Sequence, residues 1–505
     1  MDFKFVLLWT DAALWLMAFA LLAYGLRIRG HAALRATWQR VLRDPVAASS
    51  GVVLAFFLLL TLLDSVHFRA RLDDVPRAQT ATQADQAGQG GASYDTRTRS
   101  LLDLLLARQI AMRETSYSQP LAYLGFNKVV LDTAGAADPA LNASAGVRRD
   151  YPRLQFGGAH LSEPRQQWLD DVLSRAGLGL AAGLAFTLFL FGAAAALLAR
   201  AHGGFAQACK DLAADRTHYP WRAVLLTLGV MALLTGPVLM LMPHYHVFGT
   251  DRTGNDVLVQ ALKSIRTAFV IGALATLATL PFAVCLGVLA GYFRGWVDEL
   301  IQYLYTTLTS VPNVLLIAAC VLMVQVFLDT HPEAYETGAE RADLKMFLLC
   351  LILGLTGWAG LCRLVRGETL KLRELDYVQA ATAFGVSHVR IMARHIVPNV
   401  MHLVLISVVL SFSELILYEA VLTYVGVGVD PSMNSFGGMI NLARSEMSRD
   451  PLVWWSFAAA FAFMVTLVLA ANLFADGVRD AFDPRARQLR PRVPSLAKKQ
   501  EAACV

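Results

Sequence analysis

Nine stretches of this chain stay apolar for about twenty residues at a time: 5–26, 46–66, 177–198, 223–242, 267–292, 300–328, 346–362, 400–427 and 452–474. Roughly twenty helical residues cross the ~30 Å hydrocarbon core of a bilayer. Inside that core a segment must satisfy its own backbone polar groups, which a helix does. The blocks therefore predict an all-α polytopic membrane protein with about nine transmembrane helices. Composition agrees. Charged residues make up 16% of the 505, where a soluble domain carries about a quarter. The net charge is +5, with no basic face of the kind that nucleic acid requires.

The polar segments set the topology. Arg27, Arg29, Arg35, Arg40 and Arg43 follow the first block. Arg200, Lys210, Arg216 and Arg222 lie between the third and fourth, and Arg479, Arg485, Arg487, Arg490 and Arg492 in the tail. Short basic loops mark the cytoplasmic side. The loop 329–345 carries Asp329, Glu333, Glu336, Glu340 and Asp343 and falls on the other side. The N-terminus is then outside and the C-terminus cytoplasmic.

This divides the chain. Residues 1–66 hold two spans and a basic loop. Residues 67–175 form an extracytoplasmic insert, flexible at 76–93 where Gln, Ala, Gly and Thr dominate. The insert carries an amphipathic helix over 99–113 and suggests a small α+β cap. Residues 176–242 hold two more spans, 243–485 the remaining five, and 486–505 a cytoplasmic tail. Cys209, Cys285, Cys320, Cys350, Cys362 and Cys504 form no CxxC pair, and the insert has none. They read as small buried hydrophobes. His160 and Glu163 are too scattered to predict a metal site.

Between the seventh and eighth blocks lies a charged island, 370–399. Leu372, Leu375 and Val378 fall three apart and predict a helix with one apolar stripe. Gly385 ends it, where a left-handed residue costs little. Ser387 is placed to cap the next helix. There Val389, Met392 and Ile396 share one face and Arg390 and Arg394 another. Pro398 marks its end. A stiff helical hairpin with a basic face, held between spans, is suited to touching another protein.

No GxxxxGK[ST] loop, HExxH pair or GxSxG elbow occurs. A polytopic chain without them reads as a channel, transporter subunit or scaffold rather than an enzyme. Glu414 and Glu419 are acids inside the eighth block, five apart and so on different faces. A carboxyl there either lines a water-filled pathway or gate, or is buried against a neighbouring helix's hydroxyl or backbone. Pro281 and Pro312 are expected to bend the fifth and sixth spans.

With these residues in view the chain resembles a known family. Gln379, Ala380, Ala381 and Gly385, ending at Val397, Pro398 and Asn399, resemble the EAA loop of permease subunits of bacterial ABC importers. Gly249, Thr250, Asp251, Gly254, Asp256, Val257 and Leu258 resemble the signature before the second span of the C-type dipeptide, oligopeptide and nickel permeases. Ala290 to Asp298, Arg363 to Arg366, Glu419 to Gly426 and Asp476 to Pro484 continue it, so the match covers about 222–485. Gln379 stands where the family has Glu, Val397 where it has Leu, and Asn255 where it has Arg.

The resemblance implies a type I permease core in the bacterial inner membrane, forming half of a pathway for peptides or similar small cargo. It implies a homologous B-type permease partner, two ABC ATPase subunits that use ATP, and an extracytoplasmic substrate-binding protein. This chain itself would bind no cofactor. The loop 363–399 would meet an ATPase through Tyr377, Gln379, Ala380, Ala381, Gly385, Arg390, Arg394 and Pro398. The alternative is a membrane sensor or scaffold whose insert binds a ligand or partner.

Overall fold

Two helices run well past the thickness of a bilayer, and the other elements are arranged on them. They are the 37-residue Val257–Phe293 and the 36-residue Gly338–Arg373. At 1.5 Å per residue each is about 55 Å long. The structure is a computed structural model that describes residues 3–70, 95, 98–130, 149–200, 204–335 and 337–482. The linker 76–93 and the tail 486–505 lie outside the described residues.

In chain order the elements are β1 (Phe3–Val6), α1 (Trp9–Gly30), α2 (Ala32–Arg43), α3 (Pro45–Asp64), β2 (His67–Ala70), β3 (Arg99–Ser100), α4 (Leu101–Leu105), α5 (Ala107–Ala111), β4 (Val129–Val130) and β5 (Arg149–Asp150). Then come α6 (Pro164–Leu198), α7 (Phe205–Ala213), α8 (Trp221–Leu241), α9 (Val257–Phe293), α10 (Gly295–Ser310), α11 (Asn313–Thr330) and α12 (Gly338–Arg373). Last are α13 (Asp376–Ala383), α14 (His388–Ile391), a π segment (Met392–Ile396), α15 (Val397–Tyr424), α16 (Phe436–Glu446) and α17 (Trp455–Phe482). Among the described residues nine helical stretches are long and apolar enough to cross a membrane, with His388–Tyr424 as one of them.

Several boundaries differ from the sequence expectation. The sixth span is broken at Val311 and Pro312, not bent, because proline holds the preceding residue extended (Val311 φ −89°, ψ 135°). Pro281 stays inside a continuous α9. Helix α6 begins at Pro164, inside the predicted insert, and α12 at Gly338, inside the predicted acidic loop. The amphipathic helix expected over 99–113 is split at Leu106 into α4 and α5. Among the described cysteines Cys350 and Cys362 are buried, but Cys285 is exposed on α9. Helix α16, with its N-terminus capped by Ser435, had no counterpart in the pattern.

Core clusters follow the long pair. Ile317 and Val321 of α11 pack with Ile271 and Leu274 of α9 and Leu349 and Leu353 of α12. Tyr305 of α10 packs lower, with Ala283 and Cys362. The front half is fastened to this core by polar contacts. Arg266 of α9, almost fully buried, reaches Asp11 of α1 at 2.6 Å, and Asp343 of α12 accepts bonds from the Thr10 backbone and hydroxyl. Helices α6 and α8 pack on each other, and Val238 and Met242 at the end of α8 cluster with Leu60 and Leu63 of α3. A Cβ on Gly236 would collide with the Gly179 carbonyl, so the two backbones touch.

The segment 67–175 holds helices and strands: its β2 pairs with β3 and with β1 from the N-terminus in one antiparallel sheet, and β4 pairs with β5 in another. It is clamped to the loop before α9. Glu114, buried, accepts the N–H groups of Gln155, Phe156 and Gly157 at 2.9, 2.8 and 3.1 Å. Its own N–H donates to the Gly254 carbonyl at 3.0 Å, and Gly254 has φ +78° with no room for a Cβ. Buried His246 lies between Asp256 (2.8 Å) and Glu114 (3.7 Å). Burial alone would lower the His246 pKa; Asp256 and Glu114 outweigh it and raise it to about 9. Burial opposes ionisation of Glu114 too, but His246 and the three N–H groups hold its pKa at about 2.

A histidine raised in the folded state stabilises fully below its ordinary pKa of 6.5 and loses that contribution as pH passes about 9. The purified chain is therefore expected to lose on the order of 3 kcal/mol of stability at most between pH 6.5 and 10. His246→Gln should flatten that difference. Parallel melting profiles of the two proteins across this window would refute the clamp.

Candidate functional site

The hairpin grows out of the ends of α9 and α12. Helix α12 runs through Leu372 and stops at Arg373, so the predicted stripe of Leu372, Leu375 and Val378 is divided. Leu372 closes the long helix, Leu375 is an exposed N-cap, and only Val378 is buried in α13. The break at Glu374 and Leu375 turns the chain.

Gly385 ends α13 as expected, at φ +73°. Its N–H donates to the Thr382 carbonyl at 3.0 Å and that of Val386 to the Ala381 carbonyl at 3.1 Å. This is a Schellman ending, with Val386 and Ala381 both packed against the apolar cluster under the hairpin. Ser387 stands at the N-cap of α14, but its side chain caps nothing.

Pro398 does not end the helix. It lies at the second residue of α15, and the helical run is continuous from His388 to Tyr424. The π segment just before it explains why. An extra residue in that turn shifts the bonds that a prolyl nitrogen cannot make. The same shift explains a second correction. Val389, Met392 and Ile396 do not share a face: Val389 is 72% exposed, while Ile391 and Ile396, five apart, are both fully buried. A π turn bonds residue i to i+5, and its wider turn brings side chains five apart nearer to one face than an α turn does.

The inner side of the hairpin is apolar. Val378, Ile391, Ile396, Val400 and Val404 pack against Val288 and Tyr292 of α9 and Val365 of α12. Burying each such side chain contributes roughly 1.5–3 kcal/mol. Polar contacts fix the orientation. Arg373 donates to the Tyr292 carbonyl at 2.7 Å and its guanidinium lies over the Tyr292 ring. The Tyr292 hydroxyl meets His388 Nδ1 at 2.8 Å. Asn399 donates to the Tyr377 hydroxyl at 2.9 Å, joining the two arms. Arg366 grips Asp298 through two bonds of 2.6 and 2.7 Å, tying α12 to α10.

The outer side is open. Tyr377, Gln379, Ala380, Arg390, Arg394 and Pro398 are exposed, as is Gly385 at the bend; Ala381 is half-buried. Gln379 donates to the Glu374 carbonyl at 3.1 Å, so its amide closes the start of α13. The most exposed large apolar side chain is Phe384, at 86%. It was not singled out in the sequence, although a phenylalanine directly before a terminating glycine has no helix face to bury into. The two acids of the eighth block separate. Glu419 is 1% exposed and accepts the Thr423 hydroxyl at 2.9 Å, while the Thr423 oxygen also accepts the Val429 N–H. Glu414 is exposed, in a stripe with Leu410, Leu417, Val421 and Tyr424. No cluster of three or more ligating side chains suited to a metal occurs among the described residues.

Comparison with known proteins bears on these elements. Residues 283–488 match the family described as the binding-protein-dependent transport system inner membrane component. The oligopeptide transport system permease protein OppC of Mycobacterium tuberculosis is 32% identical over 245 residues, 48% of this chain and 78% of that protein. The chain belongs to the C-type peptide permeases of ABC importers. OppC of Haemophilus influenzae is also 32% identical, over 72% of its length. The glutathione permease GsiD of Pectobacterium atrosepticum is 31% identical over 73% of its length. The permease is a multi-pass inner-membrane protein, and these alignments take in about half of it. An inward-facing methionine ABC transporter, MetNI, superposes with a TM-score of 0.32 and 16% identity over 45% of this chain and 96% of that one, too weakly to specify more.

The two sides of the hairpin should respond differently to truncation. Ile391→Ala is expected to cost about 2–5 kcal/mol, as a buried large-to-small change does. Phe384→Ala should stay within about 0.5 kcal/mol. Denaturant unfolding of both variants checks this, and equal losses would contradict the assigned burial.

Proposed function

We propose that this permease forms one half of the translocation pathway of an ATP-driven importer of small peptides. Its hairpin couples the pathway to ATP hydrolysis on separate subunits. The observation that carries this reading is the two-sided hairpin. Its inner face is packed into α9 and α12, and its outer face offers Phe384 and Val389 beside Arg390 and Arg394. A stiff element with an uncovered apolar tip suits docking into a groove, and a continuous helix from that tip into the span suits transmitting a two-state movement.

The remaining parts follow. A homologous B-type permease would complete the pathway, two ABC ATPases would sit under the hairpin, and an outer binding protein would deliver cargo. The hairpin and the C-terminus would be cytoplasmic, and the N-terminus and insert extracytoplasmic. Tyr377, Gln379, Ala380, Ala381, Gly385, Arg390, Arg394 and Pro398 would form or shape the ATPase contact, Gln379 as a neutral acceptor. Glu414 is the pathway candidate, because an ionisable side chain within a span faces water or protein rather than lipid. The peptide cargo is carried over from the relatives named as oligopeptide and glutathione permeases.

Phe384→Asp should abolish co-purification of the ATPase subunits while membrane insertion is unchanged. Gly385→Val, strained at φ +73° although its Cβ meets nothing within 4 Å, should keep insertion and lose cargo-stimulated ATP hydrolysis. Full stimulation in both variants would rule out coupling through this hairpin.

A further inference from the structure

Helix α1 lies ahead of the residues matched to the family. It is buried only near its start, at Thr10, Asp11 and Leu14. Beyond these it presents an exposed apolar stripe of Phe19, Leu22 and Leu26, at helical steps of three and four. The next step along that stripe is Arg29. Arg27 and Arg29 stand in the last turn of α1, and Arg35 in the first turn of α2.

The local fold brings these arginines around one turn. His31 is extended (φ −116°, ψ 110°) and breaks the helix. Helix α2 then folds back, so that Trp38 Nε1 donates to the Tyr24 hydroxyl at 3.2 Å. Arg35 reaches across the break and donates to the Arg29 carbonyl. All three arginines are exposed. No aspartate or glutamate occurs between Asp11 and Asp44. None of the three has a carboxylate partner among the described residues. The carbonyl end of α1 attracts a cation, and Arg35 answers it. Arginines beside a span also set its orientation, but that needs no gathering of them. Neither role offsets the repulsion of three like charges around one turn, which an anion relieves.

The stripe decides which anion. Inorganic phosphate would use the arginines alone. A phospholipid uses the whole surface: its phosphate accepts the paired N–H groups of guanidinium, and its chains cover the apolar residues. Choline would bring a cation of its own, so an anionic headgroup fits better. We propose that the α1–α2 turn binds one anionic phospholipid. Arg27, Arg29 and Arg35 hold the phosphate, and the acyl chains lie along Phe19, Leu22 and Leu26. This does not depend on the transport reading. It gives the front half a second hold on the membrane, at the end of α1 away from the Arg266–Asp11 pair.

The test uses the full chain in detergent, stripped of lipid, and native mass spectrometry with dioleoyl phosphatidylglycerol or dioleoyl phosphatidylcholine. One phosphatidylglycerol is expected to bind, roughly tenfold more tightly than phosphatidylcholine. Arg29→Gln combined with Arg35→Gln should bring its affinity down to that of phosphatidylcholine. Arg40→Gln, exposed on α2 outside the turn, should change nothing. Equal affinity of the unaltered chain for the two lipids overturns the proposal, and that comparison stands even if the double variant fails to insert. An equal loss in Arg40→Gln overturns it too, since it would show general attraction to a basic chain. Displacement of the lipid by inorganic phosphate at equal concentration also overturns it, because the stripe would then contribute nothing.

Discussion

The pairing of α9 with α12 is the constraint on which the other elements depend. Within a bilayer, lipid is as apolar as leucine, so helices are held by close packing and by polar contacts rather than by escape from water. The long pair supplies both along its whole length. Near the insert it offers Arg266 and Asp343 to α1. In the middle it offers Ile271, Leu274, Leu349 and Leu353 to α11. At the hairpin end it offers Val288, Tyr292 and Val365 to the hairpin. A change that shifted one of these helices along the other would disturb all three places together.

The hairpin shows how an element can be firm and still available. Its stability comes from the face turned toward the spans, and its exposed side chains lie on the other. The two faces are separated by the Schellman ending at Gly385 and by the π segment before Pro398, both of which set direction rather than contribute contacts. Exposed Phe384 contributes nothing to the fold that contains it. That is what the docking role proposed for it would require.

Much of this was legible in the chain. Spans announce themselves by length and apolarity, and a terminating glycine by its place between two helical patterns. Nine blocks, the position of the hairpin and the left-handed Gly385 could be read because each is a local property. What could not be read depends on partners far away in sequence. Helices α9 and α12 outrun their apolar blocks because polar residues beyond those blocks find partners on α1, Arg266 in Asp11 and Asp343 in Thr10, more than 250 positions earlier. The break at Pro312 and the continuity at Pro398 are opposite outcomes for one residue type. The difference lies in the π turn, which the α-helical spacing of Val389, Met392 and Ile396 concealed. Helix α16 is short and half polar, so its packing against α15 and α17 left no periodic trace.

The front half of the chain follows a rule of parity. Between α3 and α9 the chain gains α6 and α8, two crossings that return it to the side from which it left. An even number of added crossings leaves every later loop, the hairpin included, on the side it would otherwise occupy. The single crossing of α1 stands ahead of α3, so it changes the side only of the residues before it. Extra membrane mass can be attached to a permease at these two points, and in these numbers, without inverting the half that carries the hairpin.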